Sequence, residues 1–132
     1  MSWLWKPVLI VAGLVAVALS GCSQASDSTE RVVIRFSKFE RDAITVRAGE
    51  PITFVLQNDD PIAHEWIVGT EDVHERHRTG SEPYHDLIPS EVTVPALSSL
   101  KTMLTFNDPG EYPFICTFAC HWMLMRGVLR VE

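Results

Sequence analysis

From Arg31 to its end, the chain reads as short runs rich in β-branched and aromatic residues, and this rhythm limits its fold more than any other feature. Residues 31–36 (RVVIRF), 43–47 (AITVR) and 51–57 (PITFVLQ) lack helical periodicity and are parted by breaks such as Ala48-Gly49-Glu50. Residues 62–69, 91–95, 100–106, 112–118 and 128–132 continue the pattern, with Asn107-Asp108-Pro109-Gly110 as a turn. Eight short strands within about a hundred residues predict an all-β chain folded as an antiparallel sandwich. The exception is 70–90, a polar stretch expected to be a long loop or to hold one helical segment near Glu71–Arg78. Its His74, His77 and His85 are expected to be solvated; a metal bound by His74 and His77 at i, i+3 is the alternative.

The 132 residues suffice for one domain, and 46% hydrophobic content allows a core without disulfides. A formal net charge of -6 gives no attraction for phosphate backbones, so no nucleic-acid partner is expected.

The amino terminus reads as an address. Residues 7–19 form an apolar run interrupted only by Gly13, about 20 Å long as a helix and short of the roughly 30 Å of bilayer hydrocarbon. The run ends in Leu19-Ser20-Gly21-Cys22, which resembles the bacterial lipobox. That resemblance implies a lipoprotein signal peptide over 1–21, acylation of Cys22 and a chain tethered to a membrane surface. Residues 22–29 are then a flexible polar tether and 30–132 the folded domain, exported and facing the periplasm or the cell exterior. Ser23 after Cys22 leans toward the outer membrane where a cell has one.

The chemistry is concentrated in residues 112–132. Cys116, His121 and Met125 stand at C-x4-H-x3-M, so one thiolate, one imidazole and one thioether lie within a single loop. A second imidazole must come from elsewhere, and His64 in Ala63-His64-Glu65-Trp66 is well placed. Thiolate and thioether favour Cu(I) and imidazole suits Cu(II), and two imidazoles with a thiolate and a weak axial thioether are the donor set of blue-copper electron transfer. A site acceptable to both oxidation states changes little on electron transfer, which keeps the barrier low.

Residues 112–131 resemble the C-terminal copper loop of cupredoxins, nearest the azurin type in spacing. Residues 49–54 (GEPITF) and 108–112 (DPGEY) extend the resemblance. It implies an eight-stranded Greek-key sandwich holding one type 1 copper, with His64 and His121 as imidazole ligands, Cys116 as thiolate and Met125 as axial ligand. No catalysis is expected of it.

Two positions depart from that pattern. Glu65 stands where many relatives have an Asn whose amide ties the ligand loops together, which puts that tie in doubt. Cys120 stands where azurin-like loops usually have Gly. It is expected to be a small, partly buried, inert thiol; a bis-thiolate copper site using Cys120 and a Cys116–Cys120 disulfide are the alternatives. Cys116-x3-Cys120-His121 is one residue longer than a c-type haem attachment motif, and the flanking strands argue against haem.

Trp122 and Met123, next to His121, either form an apolar surface through which electrons leave or pack into the core. The reading that follows is a monomeric, membrane-tethered carrier of single electrons between a redox protein donor and acceptor, such as a cytochrome or an oxidase. A copper-binding lipoprotein for metal handling or resistance is the runner-up, and a metal-free interaction domain the third reading.

Overall fold

Each run marked by the sequence as β-forming is paired. The computed structural model, which describes residues 28–83 and 86–132, runs β1 (Ser28–Ile34), β2 (Ala43–Val46), β3 (Pro51–Asn58), β4 (His64–Val68), α1 (Glu71–Thr79), β5 (Glu91–Val94), β6 (Ser98–Thr105), β7 (Gly110–Ile115), a 3-10 helix (Phe118–Met123) and β8 (Arg126–Val131). The expected leader, Cys22, most of the tether and His85 lie outside the described residues. β1 opens at Ser28, so strand pairing begins before Glu30, with Ser28 opposite Ile52. Gly110 belongs to β7 rather than to the turn, and β7 stops before Cys116.

The strands form two sheets, ordered β1-β3-β6 and β2-β8-β7-β4-β5, closed on each other as a Greek-key β-sandwich. The sandwich is mixed rather than antiparallel, because β1 runs parallel to β3 and β2 parallel to β8. The reason lies in the connection: β1 and β2 sit at the edges of different sheets, each beside a strand distant in sequence, so no hairpin forces opposite directions.

Alternation fills the core. Ile52, Phe54 and Leu56 of β3 face inward with Val32 and Ile34 of β1, against Trp66, Phe114 and Leu129 of the other sheet. The aromatic rings set its centre, with Phe54 and Trp66 centroids 4.9 Å apart and Phe39 edge-on to Phe114 at 5.0 Å.

All five residues of β4 are buried, whereas alternation would bury only one face. Trp66 and Val68 belong to the core, so Glu65 and Ile67 point to the opposite face. There α1 packs, with its His74 and His77 buried and its Val73 lying against Gly69. The helix carries Glu71 and Asp72 in its first turn and Arg76, His77 and Arg78 in its last, matching the helix dipole. It ends at Gly80, whose φ of 71° is the left-handed conformation of a glycine cap.

Gly127 is required by close approach. A Cβ there would meet Phe114 Cζ at 2.3 Å and the Asp42 carbonyl oxygen at 2.7 Å. Gly127→Ala should therefore destabilise the protein by about 1–3 kcal/mol through overpacking, read as a lower denaturant midpoint at unchanged slope.

Candidate metal centre

β4 and β7 pair through Ile67 with Ile115 and Val68 with Phe114, and then part. Beyond that point side chains replace the ladder. The Glu65 N–H donates to Cys116 Sγ at 3.3 Å, and the Glu65 carboxylate accepts the Thr117 N–H at 3.0 Å together with the Thr117 hydroxyl. Glu65, 1% exposed, thus ties the two segments together itself, and the tie left in doubt by the missing Asn is present.

The gap so opened holds the converging donors. His64 Nδ1 lies 3.8 Å from Cys116 Sγ, His121 Nδ1 lies 3.7 Å from it, and the three donor atoms are all within 4.8 Å of one another. The imidazole centroids are 5.1 Å apart. Ligands about 2.0–2.3 Å from one ion stand roughly 3.5–3.7 Å apart, so the spacing fits a shared metal. Met125 is fully buried beside them, its N–H donating to the His121 carbonyl at 2.6 Å and its carbonyl accepting the Cys116 N–H at 3.1 Å. His64 and Cys116 are buried and His121 half-buried, so the cluster opens to solvent along His121.

His64 is oriented by Asp60, a residue that sequence reasoning missed. His64 Nε2 lies 2.9 Å from Asp60 Oδ2, and since an ionised carboxylate only accepts, Nε2 carries the proton and Nδ1 presents its lone pair toward Cys116. Asp60 is 6% exposed and also accepts the N–H groups of Phe36 and Ser37 at 2.7 Å each. Both donors have left-handed backbones, with φ of 54° and 51°, a conformation costing about 1–2 kcal/mol per residue. Asn58 completes the corner, accepting the Asp60 N–H and donating to the carbonyls of Ile62, Val94 and Pro95. The signal was the Asn58-Asp59-Asp60 run four residues before His64, which composition marks only as a polar turn.

Burial pushes the Cys116 thiol up to about 11, against the N–H groups of Glu65 and Phe118 that favour the thiolate. Burial likewise holds the His64 imidazole below its ordinary value, against the pull of Asp60. Burial alone would raise the Asp60 carboxyl, but the N–H groups of Ser37 and Phe36 and the His64 ring together hold it below the usual range. A neutral imidazole and an anionic carboxylate are the states in which this corner can orient a metal ligand.

Other expected residues fall differently. Cys120 is exposed rather than partly buried, and its φ of 63° explains why glycine is usual there. Both Cys116 and Cys120 are free thiols, with no disulfide between them, and Cys120 is not among the converging donors. His74 and His77 are buried on the inner face of α1 rather than solvated. Among the described residues they share no potential metal cluster: His77 groups with Glu82 and Glu91 instead. Beside His121, Met123 is 57% and Leu124 74% exposed, while Trp122 is half-buried with the Arg78 guanidinium 5.1 Å from its ring centroid. Met123 therefore does not pack into the core.

Glu65→Ala leaves the Thr117 N–H without its acceptor and should cost the metal-free protein about 1–3 kcal/mol, while Glu65→Gln, which keeps an acceptor oxygen, costs less. Chemical denaturation of the three proteins checks the order.

The family model described as Cupredoxin-like domain matches residues 9–131. The copper-resistant cuproprotein CopI of Rubrivivax gelatinosus is 30% identical over 117 residues, spanning 83% of this chain and 71% of that protein. Amicyanin-alpha of Methylorubrum extorquens is 30% identical over 122 residues, spanning 92% and 87%. Among solved structures, the blue copper protein auracyanin A of Chloroflexus aurantiacus superposes with a TM-score of 0.66 at 22% identity, covering 80% of this chain and 99% of that one. With its sandwich, its convergence of two imidazoles on a buried thiol, and these relatives, the chain belongs to the cupredoxin-like family.

Proposed function

We propose that this protein is a carrier of single electrons that would hold one copper ion through His64, Cys116 and His121, with Met125 as a weaker fourth ligand. The observation that carries the reading is the convergence of two imidazole nitrogens on a buried cysteine sulfur at 3.7 and 3.8 Å. When bound there, copper supplies a one-electron couple between Cu(I) and Cu(II).

The chain's own groups do the rest. Cys116 must give up its proton to bind, and because burial raises that thiol, copper loading releases a proton and is favoured by rising pH. Asp60 and Glu65 fix the His64 ring and the cysteine segment before metal arrives, so little has to move when the oxidation state changes. Met125 and the core exclude water from the inner side, leaving the half-buried edge of His121, with exposed Met123 and Leu124 nearby, as the route for electrons. Among the described residues, the groups on the Cys116 sulfur are backbone N–H donors and two imidazoles placed as co-ligands, and we assign it no catalytic role.

We further infer an exported lipoprotein, monomeric, held to a bacterial membrane by acylated Cys22 and facing the periplasm or cell exterior. Its donor and acceptor are redox proteins, such as a cytochrome or an oxidase. Among the described residues no helix is long and apolar enough to cross a membrane.

Similarity to a protein described as a copper-resistant cuproprotein favours a second reading, copper handling. The two differ in whether the ion leaves. An electron carrier keeps its copper through repeated reduction and reoxidation in the presence of a copper(I) chelator, whereas a metal carrier loses it during the first reduced interval. Metal analysis after ten or so cycles with ascorbate and ferricyanide separates them, and retention is the expected result.

A further inference from the structure

A second group of ligating side chains lies on the other face of the copper-site sheet. His77 comes from α1, Glu82 from the segment after it and Glu91 from the start of β5, and one donor atom from each lies within 4.8 Å of the others. Their side chains are only 1%, 5% and 4% exposed. Glu91 pairs with Ile67 of β4 while Val94 pairs with His64, so the two groups are three residues, about 10 Å, apart along the strand. The odd offset puts them on opposite faces.

We propose that His77, Glu82 and Glu91 form a second metal site, which takes one divalent cation of the zinc class. His77 Nδ1 lies 3.2 Å from the Val73 carbonyl oxygen, which can only accept, so Nδ1 carries the proton and Nε2 presents a lone pair. That Nε2 is 3.6 Å from Glu91 Oε2. The distance is too long for a hydrogen bond, yet it is close to the roughly 3.3–3.6 Å between two ligands about 2.0–2.2 Å from one zinc ion. Glu82, steadied by Arg76 Nε at 3.4 Å, brings a carboxylate oxygen within 4.8 Å of the donor atoms of the other two. A divalent ion inside the triangle would add its charge to that of Arg76 beside two carboxylates withdrawn from water. Imidazole with two carboxylates suits Zn(II), and the absence of sulfur from this triad removes the preference for Cu(I) that marks the other centre. Bound there, the ion ties α1 and Glu82 to Glu91 of the sheet, coupling metal binding to the stability of that face.

The rival arrangement is an imidazolium held between the two carboxylates with no ion. The test uses the full chain with copper(I) filling the Cys116 centre, titrated with Zn(II) by calorimetry and with Co(II) by visible absorption, copper(I) itself being colourless. One equivalent of zinc should bind, remain through gel filtration and raise the melting temperature. Glu82→Gln and Glu91→Gln should each weaken zinc binding by more than the roughly ten- to hundredfold that loss of an outer partner costs, with the copper(II) spectrum unchanged. Glu82 lies outside the strands, so its variant keeps the test valid if Glu91→Gln folds poorly. In Cys116→Ser the zinc site should persist, which separates this proposal from the copper assignment. No binding, or binding that ignores both glutamates or vanishes in Cys116→Ser, overturns it.

Discussion

The parting of β4 from β7 after Ile67 and Ile115 is the constraint on which the site depends. Two paired strands leave no room for an ion, and two separated strands leave buried N–H and C=O groups without partners. Here the conflict is resolved by side chains: the Cys116 sulfur takes the Glu65 N–H and the Glu65 carboxylate takes the Thr117 N–H. Glu65 therefore supplies partners to both Cys116 and Thr117 across the gap and helps aim the sulfur. Because Glu65 points out of the core and His64 into it, consecutive residues of one strand brace the cysteine segment from outside and face its sulfur from inside.

A second brace works at right angles to the first. Asp60 gathers the N–H groups of Phe36 and Ser37 and the ring of His64, so a loop from the opposite sheet, the turn before β4 and the His64 ring are locked into one unit. Its two left-handed donors are sustained because a buried carboxylate is satisfied by them. The outcome is a donor set held at co-ligand spacing before metal binds, which suits a centre that must accept both oxidation states with little rearrangement. The outer group differs in chemistry: His77 stands there with two carboxylates, whereas the inner imidazoles stand with a cysteine sulfur.

The sandwich was legible because alternation in runs such as PITFVLQ has one physical cause, burial of one face, and the C-x4-H-x3-M spacing was legible because a short loop must bring its own donors together. Three features were not. Parallel pairing of the edge strands depends on which sheet each joins, and no local pattern encodes that. The burial of His74 and His77 escaped notice because a helix rich in charge reads as solvated, although i, i+3 spacing put both on the face that covers β4. The roles of Asp60 and Glu65 were hidden because a carboxylate's value lies in the donors brought to it from residues 36, 37 and 117. Cys120 was misjudged: it was expected to be partly buried, whereas it is exposed, with a left-handed backbone that accounts for the glycine usual at that place.

The central claim is that a single copper is held by the Cys116 thiolate and by no other sulfur of comparable strength. Visible and electron paramagnetic resonance spectra of the copper(II)-loaded protein, recorded beside Cys116→Ser and Cys120→Ser, test it most directly. The expected result is an intense thiolate-to-copper band with hyperfine structure from one copper, abolished in Cys116→Ser and retained in Cys120→Ser. A band that survives loss of Cys116, a mixed-valence signal, or dependence on Cys120 would contradict it.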